Sequence, residues 1–244
     1  MGKIVKAVDD IMGQALMEEH LHKNNVPLIV RTSVSDDEEY ETAYFFRNFD
    51  EMPELEQKAI QLSKGKVLDV GAGTGIHALA LQKLGFECHA IDISELSVQI
   101  MEERGVKHAL CQDFFELKDH KYDTILLLMN GIGLVENFDG FKEFFSQCKN
   151  LLNEGGQILF DSSDLIYLFE EEDGSFMIDL NDHYYGEVEF QVEYQGIPSK
   201  PFPWLFIDFD NLQNLAERHG FQAELLQRGA HYDYLARITL NLDL

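Results

Sequence analysis

One stretch governs what this chain can fold into: Lys66-Val67-Leu68-Asp69-Val70-Gly71-Ala72-Gly73-Thr74-Gly75. Val67 to Val70 is a short apolar run closed by glycine, the pattern of a strand buried on both faces. Three glycines then alternate with small residues, which lets the backbone turn sharply and lets a ligand approach the main chain. Ile76 to Leu84 carries apolar residues at helical spacing (Ile76, Leu79, Ala80, Leu84), and Gly85 stands where such a helix stops. Strand, tight turn and helix in this order predict the first crossover of a nucleotide-binding α/β sheet. The glycine spacing is G-x-G-x-G after an acid, Asp69. A dinucleotide fingerprint places a third glycine at the sixth position, where this chain has Ile76.

The following residues repeat the unit. Phe86 to Ile91 reads as a second strand ending in Asp92, with Ser94 as N-cap of a helix through Arg104 and Gly105 as its stop. Val106 to Cys111 reads as a third strand, with Asp113 just beyond it. Tyr122 to Met129 is a fourth, ending in Asn130-Gly131. Phe141, Phe144, Phe145, Cys148, Leu151 and Leu152 form one helix face, closed by Glu154-Gly155-Gly156. Gln157 to Phe160 is a fifth strand with Asp161 at its tip. Strands alternating with amphipathic helices predict a parallel sheet. Asp210 is expected to cap a last helix, with Gln213 in capping-box position. Ala223 to Gln227 and Tyr234 to Leu240 are joined only by Arg228 to Asp233, and a link that short makes an antiparallel hairpin.

These features together resemble class I S-adenosylmethionine-dependent methyltransferases, over about residues 63–162 and 208–244. The resemblance implies a doubly wound, mostly parallel seven-stranded α/β sheet with an antiparallel C-terminal hairpin strand. It implies S-adenosylmethionine as cofactor. Asp69, Gly71, Ala72 and Gly73 would lie along its methionine half, Asp92 would accept from its ribose hydroxyls, and Ile93, Asp113 and Phe114 would surround its adenine. Asn130 is the best candidate for a group near the transferring methyl, although a turn residue before Gly131 is an equal reading. Gly131-Ile132-Gly133 departs from the N/D-P-P-Y motif of nucleic-acid amino methyltransferases, which points to a small-molecule acceptor. A cofactor-binding protein without turnover, and more remotely an NAD-dependent oxidoreductase, stay open; no aminopropyl-site motif is found.

Charge narrows the partners. Lys and Arg number 19 against 44 Asp and Glu, a formal charge of −25, which repels phosphate backbones and anionic lipid. No nucleic acid and no membrane are expected as partners. Neither H-E-x-x-H nor paired C-x-x-C occurs, so no metal is expected. The three cysteines read as reduced and buried, consistent with a cytoplasmic location. Residues 1–62 read as a mostly helical extension, which in families of this kind closes over the cofactor, and residues 63–244 as the methyltransferase domain. Tyr44-Phe45-Phe46-Arg47 is an aromatic cluster whose cation either meets the cofactor carboxylate or stays on the surface. About residues 163–207 form an insertion. Glu187 to Tyr194 alternates strictly and Pro201 to Phe209 reads as its partner strand. This hairpin is placed equally well to cover an acceptor pocket or to make a homodimer. Asp161, His183, Tyr185 and Trp204 are further candidate acceptor contacts.

Overall fold

The computed structural model describes residues 3–171, 173–177 and 183–241. The chain opens with helix α1 (Ile11–His22) and strands β1 (Leu28–Thr32) and β2 (Glu38–Tyr40), then a 3-10 turn at Thr42–Phe46 and helix α2 (Glu54–Leu62). The alternating unit follows: β3 (Val67–Val70), α3 (Ile76–Lys83), β4 (Cys88–Asp92), α4 (Glu95–Arg104), β5 (Ala109–Cys111), β6 (Tyr122–Leu127), α5 (Gly140–Leu151) and β7 (Leu152–Ser163). The inserted segment carries β8 (Glu187–Tyr194), β9 (Ile197–Pro198) and β10 (Phe202–Leu205). Helix α6 (Phe209–Arg218), β11 (Phe221–Arg228) and β12 (Asp233–Leu240) complete the described chain.

Seven strands form one sheet in the order β11-β12-β7-β6-β3-β4-β5. The strands from β7 to β5 are parallel, and β12 runs antiparallel between β7 and β11. Both faces are covered, as a parallel sheet requires. Leu68, Val70, Ile125, Leu127, Ile158 and Phe160 pack with Phe141, Phe144 and Phe145 of α5 and Leu212 of α6. Their alternate neighbours Val67, Leu126, Leu128 and Leu159 pack with Ala59 and Ile60 of α2 and Ala78 and Leu81 of α3. This period-two division of each strand is the physical basis of the sandwich.

Three expectations need correction. The N-terminal segment is not only helical. β1 and β2 join β8 and β10 in a second, antiparallel sheet of order β10-β8-β1-β2, with β9 on β8. β8 is therefore an interior strand, flanked by β10 and by β1 of the same chain. Glu154-Gly155-Gly156 does not end the preceding helix, which stops at Leu151. It forms an irregularity inside β7, where Tyr122 pairs with Leu152 but Thr124 already pairs with Gln157. Finally, the cap of α6 is Asp208, not Asp210. The Asp208 carboxylate accepts from Asn211 N–H at 2.9 Å, Asn211 Nδ2 at 2.7 Å and the Tyr184 hydroxyl at 2.6 Å. Two of these bonds are local, from Asn211, and the Tyr184 hydroxyl adds a tertiary one.

Asp208→Ala removes the cap and strands the half-buried Tyr184 hydroxyl. It is expected to lower the urea unfolding free energy by about 2 kcal/mol, whereas Asp210→Ala is expected to change it by less than about 0.5 kcal/mol.

Candidate active site

Open α/β sheets bind ligands beyond the carboxyl ends of their strands, and the candidate residues gather there. The glycine turn after β3 has positive φ at Gly71, Gly73 and Gly75, but the three differ in what they face. A Cβ at Gly71 or Gly73 would meet nothing within 4 Å, whereas one at Gly75 would run into Val106 and Met101. Gly75 is thus a packing glycine, while Gly71 and Gly73 border open space. The turn is tied to β4: Gly71 and Ala72 N–H groups both bond Ile91 O, at 2.9 and 3.0 Å.

Asp92, at the end of β4, accepts from Gly73 N–H at 2.8 Å through one carboxylate oxygen and from Ser94 N–H at 2.9 Å through the other. Each oxygen keeps a lone pair for a further donor. Burial pushes this carboxyl above its ordinary value against the pull of those N–H groups. Ile93, next in sequence, gives its carbonyl to Val5 N–H at 2.8 Å, so the N-terminal strap crosses at the strand end. Asp113 caps the short turn after β5 by accepting from Phe115 N–H at 2.9 Å. The Phe114 ring lies inside the core against Phe144, with ring centroids 5.7 Å apart and 3% exposure. That corrects the expectation that its side chain lines a ligand surface: in the 3-10 turn it packs inward on the α5 aromatics.

Asn130 also differs from expectation. Its backbone is left-handed (φ 56°), and its side chain is committed. Nδ2 donates to Leu205 O at 3.1 Å, and Oδ1 accepts from the Ser162 hydroxyl at 2.8 Å. Ser162 Oγ in turn accepts from Ile207 N–H at 3.0 Å. The Asn130 amide braces the end of β10 against β7, and only its backbone N–H points to a site group, Asp161 Oδ2, at 3.2 Å.

Two carboxylates on the α2–α3 face are left with buried oxygens that have no hydrogen-bond partner: Asp69 Oδ2 and Asp161 Oδ1. Burial pushes the Asp69 carboxyl up to about 6, opposed by nearby His77 and the Ala78 N–H. It pushes Asp161 up to about 7, opposed by the Asn130 N–H.

Sequence reasoning missed the framework around them. The Arg47 guanidinium is neither on the surface nor free. Its Nη2 bonds both Glu56 oxygens, at 2.6 and 2.7 Å, its Nη1 bonds Tyr44 O at 2.7 Å, and its charge lies 3.8 Å from the Tyr44 ring centroid. Glu56 Oε2 also meets His77 Nε2 at 2.7 Å. Burial works against the Glu56 charge, but the His77 contact and Arg47 together hold its carboxyl below the ordinary value. On the other side of the glycine turn, Arg104 donates to Thr74 O at 2.6 Å and Thr74 Oγ1 at 2.8 Å, and the Thr74 hydroxyl bonds Phe45 O. The signal that was available is Glu56 among the apolar positions Leu55, Ala59 and Ile60, together with His77 immediately inside α3.

Of the remaining candidates, His183 is 87% exposed and 3.6 Å from Glu187. The Tyr185 hydroxyl donates to Asp164 at 2.7 Å. Trp204 lies flush on Gly133, where a Cβ would be 2.1 Å from its indole nitrogen. Among the described residues no cluster of His, Cys, Asp and Glu is placed to hold a metal, and no helix is long and apolar enough to cross a membrane.

With this geometry in place, comparisons identify the fold's relatives. The family model described as "Methyltransferase domain" matches residues 39–226. A SAM-dependent methyltransferase from Bacteroides fragilis, solved in complex with S-adenosyl-L-homocysteine, superposes with a TM-score of 0.92 at 45% identity, covering 98% of each chain. The CcbJ methyltransferase from Streptomyces caelestis shares the fold at a TM-score of 0.57 and 16% identity, over 79% of this chain and 94% of that one. A ribosomal protein L11 methyltransferase from Lactobacillus helveticus is 33% identical over 135 residues, 51% of this chain and 41% of the relative. The chain spans about two fifths of the length of the curated relatives it matches. The glycine turn, the order of the seven strands and these matches lead to one conclusion: the chain belongs to the methyltransferase domain family.

Proposed function

We propose that this protein transfers a methyl group from S-adenosylmethionine to a small-molecule acceptor. The observation that carries the reading is the glycine turn itself: Gly71 and Gly73 border open space directly beside Asp92, whose oxygens retain acceptor capacity. The residues fit the cofactor chemically. Asp92 suits a ribose diol and Asp113 an exocyclic amino group. The unpaired oxygen of buried Asp69 suits a cationic partner close to the turn. When bound, the cofactor supplies an electrophilic methyl on a sulfonium. The chain's own work is then to orient and to exclude water. The second sheet supports that role, because the end of β10 is fixed by Asn130 to the turn after β6 and Trp204 packs on that turn. The N-terminal segment supports it too, through the Val5–Ile93 and Phe45–Thr74 bonds at the two sides of the cofactor region. A roofed site and a formal charge of −25 favour a small acceptor over nucleic acid. The likeness to a ribosomal protein methyltransferase makes a protein acceptor the competing outcome.

Calorimetric titration with S-adenosylmethionine, S-adenosylhomocysteine and NADH tests the reading. The first two are expected to bind, and Asp92→Ala is expected to weaken both by roughly tenfold or more, the loss of charge-assisted hydrogen bonds. Selective binding of NADH, or of none of the three, would sink it. Transfer of labelled methyl to small molecules but not to ribosomal protein separates the acceptors.

The unpaired carboxylates also set a pH dependence. Their folded-state pKa values are raised, to about 6 for Asp69 and about 7 for Asp161. Below about pH 4 both states of each group are protonated and it contributes nothing. Between pH 4 and 7 the unfolded chain releases protons that the native one retains, so stability falls as pH rises. Ligand-free Asp161→Asn protein is therefore expected to melt above wild type at pH 8, with the difference shrinking toward pH 4. A higher melting temperature of wild type at pH 8 would contradict the burial of an unpaired charge.

A further inference from the structure

Beyond the cofactor region, the mouth of the site is made of tyrosines. Tyr40, Tyr44, Tyr167, Tyr232 and Met129 are all among the large apolar side chains left exposed. They belong together. Tyr40 lies within electrostatic reach of both Tyr44 and Tyr167, and Tyr44 within reach of Asp161. Tyr167 stacks on Tyr232 with centroids 5.2 Å apart, and Asp164 N–H bonds Tyr232 O at 3.0 Å, one residue beyond the Ser163–Asp233 pair that ends β7. Met129 precedes Asn130, whose N–H holds Asp161. A soluble surface does not ordinarily gather exposed rings in this way without a ligand to cover them.

Within reach of Tyr44 stands a carboxylate that the fold leaves incomplete. Asp161 Oδ2 is occupied by Asn130 N–H, while Oδ1 is shut off from water with no donor. A carboxylate in that state calls for a cation or an N–H donor. Tyrosine faces call for the same partner, since their negative quadrupoles attract cations while their area holds apolar groups.

We propose that the acceptor is an organic amine, its apolar body packed on Tyr40, Tyr44 and Tyr167 and its nitrogen on Asp161 Oδ1, with Asp161 as the proton acceptor of the reaction. This rests on the methyltransferase reading above. The amine arrives as an ammonium and gives one proton to Asp161, which frees its lone pair. The new N–C bond forms as the C–S bond of the donor breaks, and that bond's electron pair leaves on sulfur. The product departs as a methylated ammonium, and Asp161 passes its proton to water, so one proton is released per turnover. Tyr44 from the N-terminal turn, Glu56 from α2 and His77 from α3 are the titratable groups acting on Asp161 from its own side of the sheet, and Tyr234 of β12 acts on it from the opposite face. Burial raises its carboxyl to about 7, where exchange of a proton with an amine near neutral pH is efficient.

The test uses the protein saturated with S-adenosylhomocysteine, titrated calorimetrically with benzylamine, tyramine and cyclohexylamine and with benzyl alcohol as neutral control. At least one amine is expected to bind more tightly than the alcohol. Asp161→Asn is expected to weaken that amine about tenfold or more, while leaving the alcohol unchanged and S-adenosylhomocysteine within about threefold. Tyr167→Ala, at a 41% exposed position whose loss does not threaten folding, is expected to weaken aromatic amines. If no amine outbinds the alcohol, or Asp161→Asn leaves amine affinity unchanged, the proposal is overturned. If Asp161→Asn abolishes S-adenosylhomocysteine binding, Asp161 serves the cofactor and the proposal is likewise lost. Failure of wild type to bind S-adenosylhomocysteine would instead overturn the functional reading beneath it.

Discussion

The buried chain Arg47–Glu56–His77 is the constraint on which the site's geometry depends. It joins three segments: the aromatic turn at Thr42–Phe46, helix α2 and helix α3. Charges placed this deep are costly unless each is answered, and removal of one partner from such a set typically costs 3–5 kcal/mol, roughly. Glu56 is answered twice, by the Arg47 Nη2 shared between both its oxygens and by an imidazole. Because His77 sits in the first turn of α3, the same chain fixes where that helix begins, and thus where the glycine turn opens. Because Arg47 also bonds Tyr44 O and lies on the Tyr44 ring, it fixes the position of that ring. A single electrostatic knot thereby ties the aromatic turn to the start of the glycine turn.

The aspartates Asp69, Asp92, Asp113 and Asp161 divide between two physical states. Asp92 and Asp113 are held by backbone N–H groups and serve as positioned acceptors. Asp69 and Asp161 share the α2–α3 face and each keeps a buried oxygen unanswered. The fold tolerates this because the rest of the sheet is well packed on both faces, so local destabilisation is carried by a large apolar core.

Much of this was legible in the sequence. The parallel strands announce themselves as apolar runs between glycines, β8 by strict alternation, and the last hairpin by a connection too short to cross over. Val67–Val70 and Glu187–Tyr194 fall at the expected bounds, and Ser94 caps α4 as read. What failed depends on partners distant in sequence. Leu28 to Thr32 is a β-branched run whose local mate β2 is only three residues long and whose other mate β8 lies near the other end of the chain. Asp208 holds the distant Tyr184 hydroxyl beside its local Asn211 bonds. Asn130 turns its amide away from the site because Leu205 and Ser162 claim it. Residue type and spacing located the strand ends; they did not reveal which way a side chain leaves them.

The composite second sheet has a consequence for the order of assembly. Ile29 pairs with Glu193, most of the chain's length away. Contacts of that separation form only after a large loop has closed, and loop closure rewards nothing until it is complete. In a chain made from its N-terminus, β1 and β2 exist long before β8, and the parallel sheet between them can form in the interval. Through that wait the β-branched β1 has β2 as its only antiparallel companion available, and β2 carries Glu38 and Glu39, both exposed. Acidic side chains on an edge discourage pairing with another molecule. The same two glutamates at the rim of the finished protein thus act earlier as guards of an unfinished one.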